Sequence, residues 1–170
     1  VTNLQSTEAA NLDNITATTH TASVSADNTN FTGDIGDAVV TVDTGATWTI
    51  DGGATVNSGT AVATGTITGD AAELTTMVIT GAGTVAVTNL DETDAADLSN
   101  ITATTHTANV SGSNTSFTGD LGDAALTVAS GTWVVGNAAT ISNAASIVAT
   151  GTIQGDAAIL TGATITGAGT

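Results

Sequence analysis

Short β-branched runs set the rhythm of this chain. Val39-Val40-Thr41-Val42, Thr47-Trp48-Thr49-Ile50, Met77-Val78-Ile79-Thr80 and Val85-Ala86-Val87-Thr88 are separated by Gly, Asn and Asp. Runs of this kind, bounded by turn formers, predict strands. Two segments predict helix instead. Thr93-Asp94-Ala95-Ala96-Asp97-Leu98-Ser99-Asn100-Ile101 offers a Thr N-cap, early acids, and Leu98 and Ile101 three apart. Asp70-Ala71-Ala72-Glu73-Leu74 opens like a capping box. Each is long enough for one turn or little more. The pattern predicts an all-β chain.

The runs recur. Asn14-Ile15-Thr16-Ala17-Thr18-Thr19-His20-Thr21 returns unchanged at 100–107, an offset of 86. Phe31-Thr32-Gly33-Asp34-Ile35-Gly36-Asp37-Ala38 returns at 117–124 with Leu121 for Ile35. Ile79-Thr80-Gly81-Ala82-Gly83-Thr84 returns as Ile165 to Thr170, and Val1-Thr2-Asn3-Leu4 matches Val87-Thr88-Asn89-Leu90. Trp48 and Trp133 differ by 85, so one residue is lost and later regained, which places the slip in loops. The chain divides into unit 1 (1–86) and unit 2 (87–170), and both of its ends are in phase with the repeat. That phasing suggests an excerpt or minimal unit of an open-ended array. A weaker half-repeat at an offset of 36 relates Thr32-Gly33-Asp34 to Thr68-Gly69-Asp70. Periods of this kind point to solenoids and arrays, whose units bury their apolar faces only against neighbours.

The interior must be thin. Two Trp, two Phe and no Tyr cannot fill a thick sandwich, whereas Val, Ile, Ala and Thr suit the narrow inside of a stacked coil. The expected fold is a parallel β-solenoid with about four rungs of ~20–24 residues per unit, rising ~4.8 Å per rung. The rival is one β-sandwich domain per unit, since ~100 residues is usual for an immunoglobulin-like domain.

Composition narrows the function classes. There are 16 Asp and Glu, no Lys or Arg, and a net charge of −16. Such a chain cannot neutralise phosphates, so nucleic acid is excluded as a partner, and anionic membrane surfaces repel it. No run reaches the ~18 apolar residues of a membrane span, so no membrane insertion is expected in this segment. No cysteine is present, so no disulfide helps the fold. A hydrophobic fraction of 41% argues against disorder. The 38 Thr fit solvated β-surfaces, and the absence of Lys and Arg makes the chain resistant to trypsin.

The Ala-Ala-x-Leu-x-x-Ile pattern occurs at Ala9 to Ile15 and at Ala95 to Ile101. In both units Thr-Gly-Asp-[Ile/Leu]-Gly-Asp-Ala follows. Together they resemble the Thr-rich acidic "β-strand repeat" arrays of giant bacterial surface, S-layer-like and adhesin proteins. The resemblance covers nearly the whole chain. It implies an extracellular or cell-surface role, self-association into a filament or layer, and no carried-over active site.

Candidate chemistry is sparse. Asp34, Asp37, Asp120 and Asp123 persist between the units, whereas Asp13, Asp27 and Asp43 face Ser99, Ser113 and Ala129. A Gly-Asp-x-Gly-Asp loop can offer oxygens to Ca²⁺; the competing reading is that these Asp cap a tight turn. His20 and His106 read as solvated or Thr-bonded surface residues. Trp48 and Trp133 could be sugar-stacking platforms, though packing accounts for them. Thr-x-Thr pairs such as Thr16/Thr18 and Thr64/Thr66 superficially resemble ice-binding ladders, but look scattered. Triads, phosphate loops and paired carboxylates in a recognisable context are missing, so no enzyme is expected. The expected function is a structural repeat protein of a filament, surface layer, sheath or matrix, with a Ca²⁺-stiffened adhesin stalk as the alternative.

Overall fold

The computed structural model of the chain describes residues 1–4, 7–56, 59–141, 144 and 146–170. Its strands in unit 1 are β1 (Thr21–Val24), β2 (Asn28–Phe31), β3 (Val39–Val42), β4 (Thr47–Ile50), β5 (Thr60–Ala63) and β6 (Thr66–Asp70), and β7 (Val78–Thr88) begins in unit 1 and runs two residues past its end. Unit 2 contributes β8 (Ile101–Val110), β9 (Ala125–Val128), β10 (Thr132–Val135), β11 (Ser146–Ala149), β12 (Thr152–Gly155) and β13 (Ile165–Thr166). Two single-turn helices, α1 (Ala71–Leu74) and α2 (Ala157–Leu160), follow β6 and β12.

Every strand pairing among the described residues is parallel, which rules out the sandwich and makes the fold a parallel β-solenoid of about seven turns. Alternation drives the strands. In β4, Trp48 and Ile50 are buried and Thr47 and Thr49 half-exposed; β3 and β5 repeat the pattern. Inward residues of successive coils form one continuous core. Its bulk comes from one aromatic pair per unit. Phe31 meets Trp48 at 5.5 Å and 62°, and Phe117 meets Trp133 at 5.5 Å and 45°. All four rings are buried, so the Trp are packing residues and not sugar platforms.

The coil size is read from the register. Thr21 pairs Val39, Val39 pairs Thr60 and Thr60 pairs Val78, which are steps of 18, 21 and 18 residues. Unit 2 repeats them in Thr107↔Ala125, Ser146↔Ala125 and Ile147↔Ile165. The missing residue near Trp133 falls in the connection between β9 and β10, three residues against four between β3 and β4.

At the unit boundary the columns of strands change places. The first part of β7, Val78–Thr80, lies on β5, and its second part, Thr84–Thr88, lies on β6. β8 covers both parts of β7, pairing Ile79 with Ile101 and Val85 with His106. β9 then stacks on Thr107–Val110 at the far end of β8. Strands β9, β11 and β13 therefore rise above the β2-β4-β6 column, although their sequence counterparts β3, β5 and β7 start from β1. The solenoid steps sideways by one strand per 86-residue unit.

Tight corners explain the conserved Thr-Gly-Asp. A Cβ on Gly33 would sit 2.0 Å from the Ala10 carbonyl oxygen, and one on Gly119 1.9 Å from that of Ala96. Only glycine lets the neighbouring coil approach this closely. Gly36 and Gly122 have φ of 55° and 57°, the left-handed turn that follows.

The helix predicted over Thr93 to Ile101 is absent. That stretch forms turns, and Ile101 opens β8. Its backbone is committed to the next coil: Asp120 N–H donates to Ala96 O (2.9 Å) and Leu98 N–H donates to Asp120 O (2.7 Å). A one-turn helix has too few internal bonds to outweigh these. The second predicted helix is present as α1, although Asp70 makes no side-chain cap bond.

Candidate functional site

The Thr-Gly-Asp-x-Gly-Asp loops sit at one corner of the coil, where Asn11, Asp34 and Thr55 bridge in sequence and Asp97, Asp120 and Thr140 repeat the stack. The first Asp of each loop closes a turn: Asp34 Oδ1 accepts the Gly36 N–H at 2.8 Å, and Asp120 Oδ1 accepts that of Gly122 at 2.8 Å. The second Asp reaches back to the preceding coil. Asp37 Oδ1 lies 3.1 Å from His20 Nδ1 and Asp123 Oδ1 lies 3.1 Å from His106 Nδ1. The four Asp are thus split between a turn-closing pair and a His-facing pair.

The histidines correct the expectation of solvated rings. The side chains of His20 and His106 are only 7% and 1% exposed. At His106 the contact with Asp123 has hydrogen-bond geometry; at His20 it does not. Burial pushes the His106 imidazole below its ordinary value of 6.5, with Asp123 pulling the other way. No signal local to Thr-Thr-His-Thr marks this ring for burial, because the carboxylate arrives from 17 residues away.

Asp13, Asp34 and Asp37 line an open depression of about 470 Å³ with Ile15, Thr16, Gly36 and Thr55. Among the described residues no group of three His, Asp or Glu is arranged to hold a metal ion.

Other acids act on the backbone, which explains why several are replaceable. Asp27 Oδ1 accepts the Thr47 N–H at 2.8 Å, and Ser113 Oγ does the same for Thr132 at 2.9 Å. Asp94 accepts from the Thr115 hydroxyl, the Asn114 amide and the Ser116 N–H, and the Thr115 bond above all holds its carboxyl below the usual range. Glu8 stands at this position in unit 1, and there the Asn28 amide nitrogen finds no partner among the described residues. Glu73 on α1 is pushed up, first by burial, with Asp70 and Asp51 adding repulsion; its counterpart in unit 2 is Ile159.

A Thr ladder does form, from pairs other than Thr16/Thr18 and Thr64/Thr66. Thr47, Thr66, Thr84 and Thr105 stack in register over four coils, with Thr49, Thr68, Ala86 and Thr107 beside them. This ladder lies on the solvated side of the β4-β6 column, where cross-strand Thr pairs stabilise the sheet. Among the described residues no helix is long and apolar enough to cross a membrane.

The remaining chemical feature is the pair of outer coils. Ile165 is 42% exposed although its counterpart Ile79 is 0% exposed. Ile153, Leu160 and Ile15 are half-buried, whereas Ile67, Leu74 and Ile101 are buried. Ile153, Leu160 and Ile165 surround an open cavity of about 290 Å³ at the end of the core.

No protein-family profile matches the chain, and no curated protein sequence or solved structure matches it either.

Proposed function

We propose that this chain is an extracellular structural repeat protein whose units stack into a filament, surface layer, sheath or matrix. One observation carries the reading. Unit 1 passes into unit 2 through direct strand pairing of β7 with β8, with one core running through the boundary. A coil that joins its own copies by its ladder is a structural element of unlimited length. The resemblance to surface-protein repeats and the lack of Lys and Arg, which removes every trypsin site, fit an exposed location. The test is electron microscopy of the purified chain together with immunolabelling of the source cells. Filaments or sheets, and label outside the cell envelope, are expected. Single particles at every concentration, or label confined to the cell interior, overturn the reading.

The adhesin-stalk alternative draws on the depression that gathers Asp13, Asp34 and Asp37. It requires Ca²⁺ to stiffen the corner. A rise in Tm with millimolar Ca²⁺, lost in Asp34→Asn, supports it; an unchanged Tm removes it. One Asp34 oxygen is already engaged by the turn and one Asp37 oxygen faces His20, which favours the purely structural reading.

A further inference from the structure

The chain contains one junction between units and displays both halves of a second. Inside the molecule Ile79-Thr80-Gly81-Ala82-Gly83-Thr84 is the lower strand of the junction and Ile101-Thr102-Ala103-Thr104-Thr105-His106-Thr107 the upper. The same two sequences stand on the outer coils, as Ile165 to Thr170 on the last and Ile15 to Thr21 on the first. Among the described residues no strand pairs with the outward edge of Ile165–Thr170 or of 15–19, 15–20 forms no strand, and Val1 reaches just the end of the upper segment, bonding Thr21 and Ser23. From this we infer that a second copy of the chain docks head to tail, its Ile15–Thr19 pairing in parallel with Ile165–Thr170. The register follows β7–β8: Ile165 on Ile15, Thr166 on Thr16, Gly167 on Ala17 and Thr170 on Thr19. The inference rests on the filament reading and names the contact that builds it.

Three observations show the outer coils already shaped for this contact. Gly167 has φ of 116° and Gly81 φ of 120°, so the lower strand turns the same corner in both places. Asn3 and Asn89 are both left-handed, at 58° and 50°, so the chain enters the upper coil the same way. The apolar side chains left partly bare at the end, Ile153, Leu160 and Ile165, are the counterparts of Ile67, Leu74 and Ile79, which the boundary coil covers completely. The turn at Leu90–Glu92 packs on α1 and β8, and Leu4 of the incoming copy takes the place of Leu90, above α2 and the 290 Å³ cavity.

The contact is heterologous: one end of the molecule recognises the other, so it cannot close a dimer and instead propagates. Because each boundary steps one strand sideways, the filament winds. Both partners are acidic and neither carries Lys or Arg, so raising the salt concentration promotes stacking.

The absence of cysteine permits a clean test. Directly paired parallel strands place Cα atoms about 4.8 Å apart, within disulfide range. The double variant T16C/T166C, oxidised mildly in the full chain, is expected to give a ladder of disulfide-linked oligomers. The control T16C/T127C, with the second cysteine on β9, is expected to give none. Thr16→Pro removes an edge N–H that bonds no other described residue; it is expected to keep the circular dichroism spectrum and Tm while blocking assembly. Filaments without the T16C/T166C ladder overturn this contact but leave the structural function standing. Neither filaments nor ladder overturns both.

Discussion

The same eight residues adopt two structures in this molecule. Asn100 to Thr107 run into strand β8, with Ile101 and Ala103 buried; Asn14 to Thr19 form no strand, with Ile15 half-buried and Ala17 exposed. The residues are identical, so the difference lies in their surroundings: β7 pairs with one copy, and among the described residues no strand pairs with 14–19 of the other. Strand formation here is a property of the neighbour as much as of the segment, as expected where cross-strand and same-face contacts set β preference. His20 and His106 carry the lesson further. Both rings face an Asp 3.1 Å away, but only His106 lies on a strand of the preceding unit, opposite Val85, and forms an aligned bond.

The two copies differ most in how far their apolar residues are covered. Ile101→Ala and Ile79→Ala empty a filled core and are expected to cost about 2–5 kcal/mol each in urea unfolding. Ile165→Ala, at an exposed site, is expected to cost less than about 1 kcal/mol in the unassembled chain, and Ile15→Ala, at a half-buried one, less than Ile101→Ala. Equal losses at the two pairs would mean that the outer coils are already covered.

Lowering the pH tests the histidines. With its imidazole pushed below 6.5, His106 stays neutral in the fold while the unfolded chain takes up a proton. No stability is at stake from this group above about pH 6.5; as the pH falls below it, stability drops until the folded ring also titrates. His106→Gln is expected to flatten the Tm–pH curve in this window, measured against the parent chain. A curve that keeps its slope in the variant assigns the effect to another group.

The smallest effect is expected at Glu73. Its carboxyl is raised from 4.5 by burial, so the fold disfavours its charged form, and that penalty is absent below pH 4.5 and complete once the pH exceeds the folded value. Glu73→Ile copies Ile159 of unit 2 and is expected to raise Tm slightly at neutral pH and to do nothing at pH 4. A lower Tm at neutral pH would show that the carboxylate has a partner worth keeping.

Much of the architecture was legible in the residues. Alternation in Val39–Val42 and Thr47–Ile50, the 86-residue offset and the shortage of aromatics pointed to stacked coils, and Gly33-Asp34 marked a turn. The rest depended on contacts between distant residues. Thr93 to Ile101 has helical caps and spacing, but its carbonyls and N–H groups are taken by 118–120 in the next coil. Nothing near His20 or His106 announces Asp37 or Asp123. The Thr ladder emerges only when steps of 19, 18 and 21 residues bring Thr47, Thr66, Thr84 and Thr105 into line. The sideways step at β8 has no local signature, because a strand of ten residues can carry two neighbours on different parts of its edge.

On the proposed contact, an unpaired edge becomes a strand when a copy of β7 is placed against it. Amide hydrogen exchange by NMR, residue by residue, reads this directly. In the unassembled chain slow exchange is expected across Thr102–Thr107 and rapid exchange across Thr16–His20, with the second set becoming protected on assembly. Equal protection of the two identical segments before assembly, or no gain at Thr16–His20 afterwards, would contradict it.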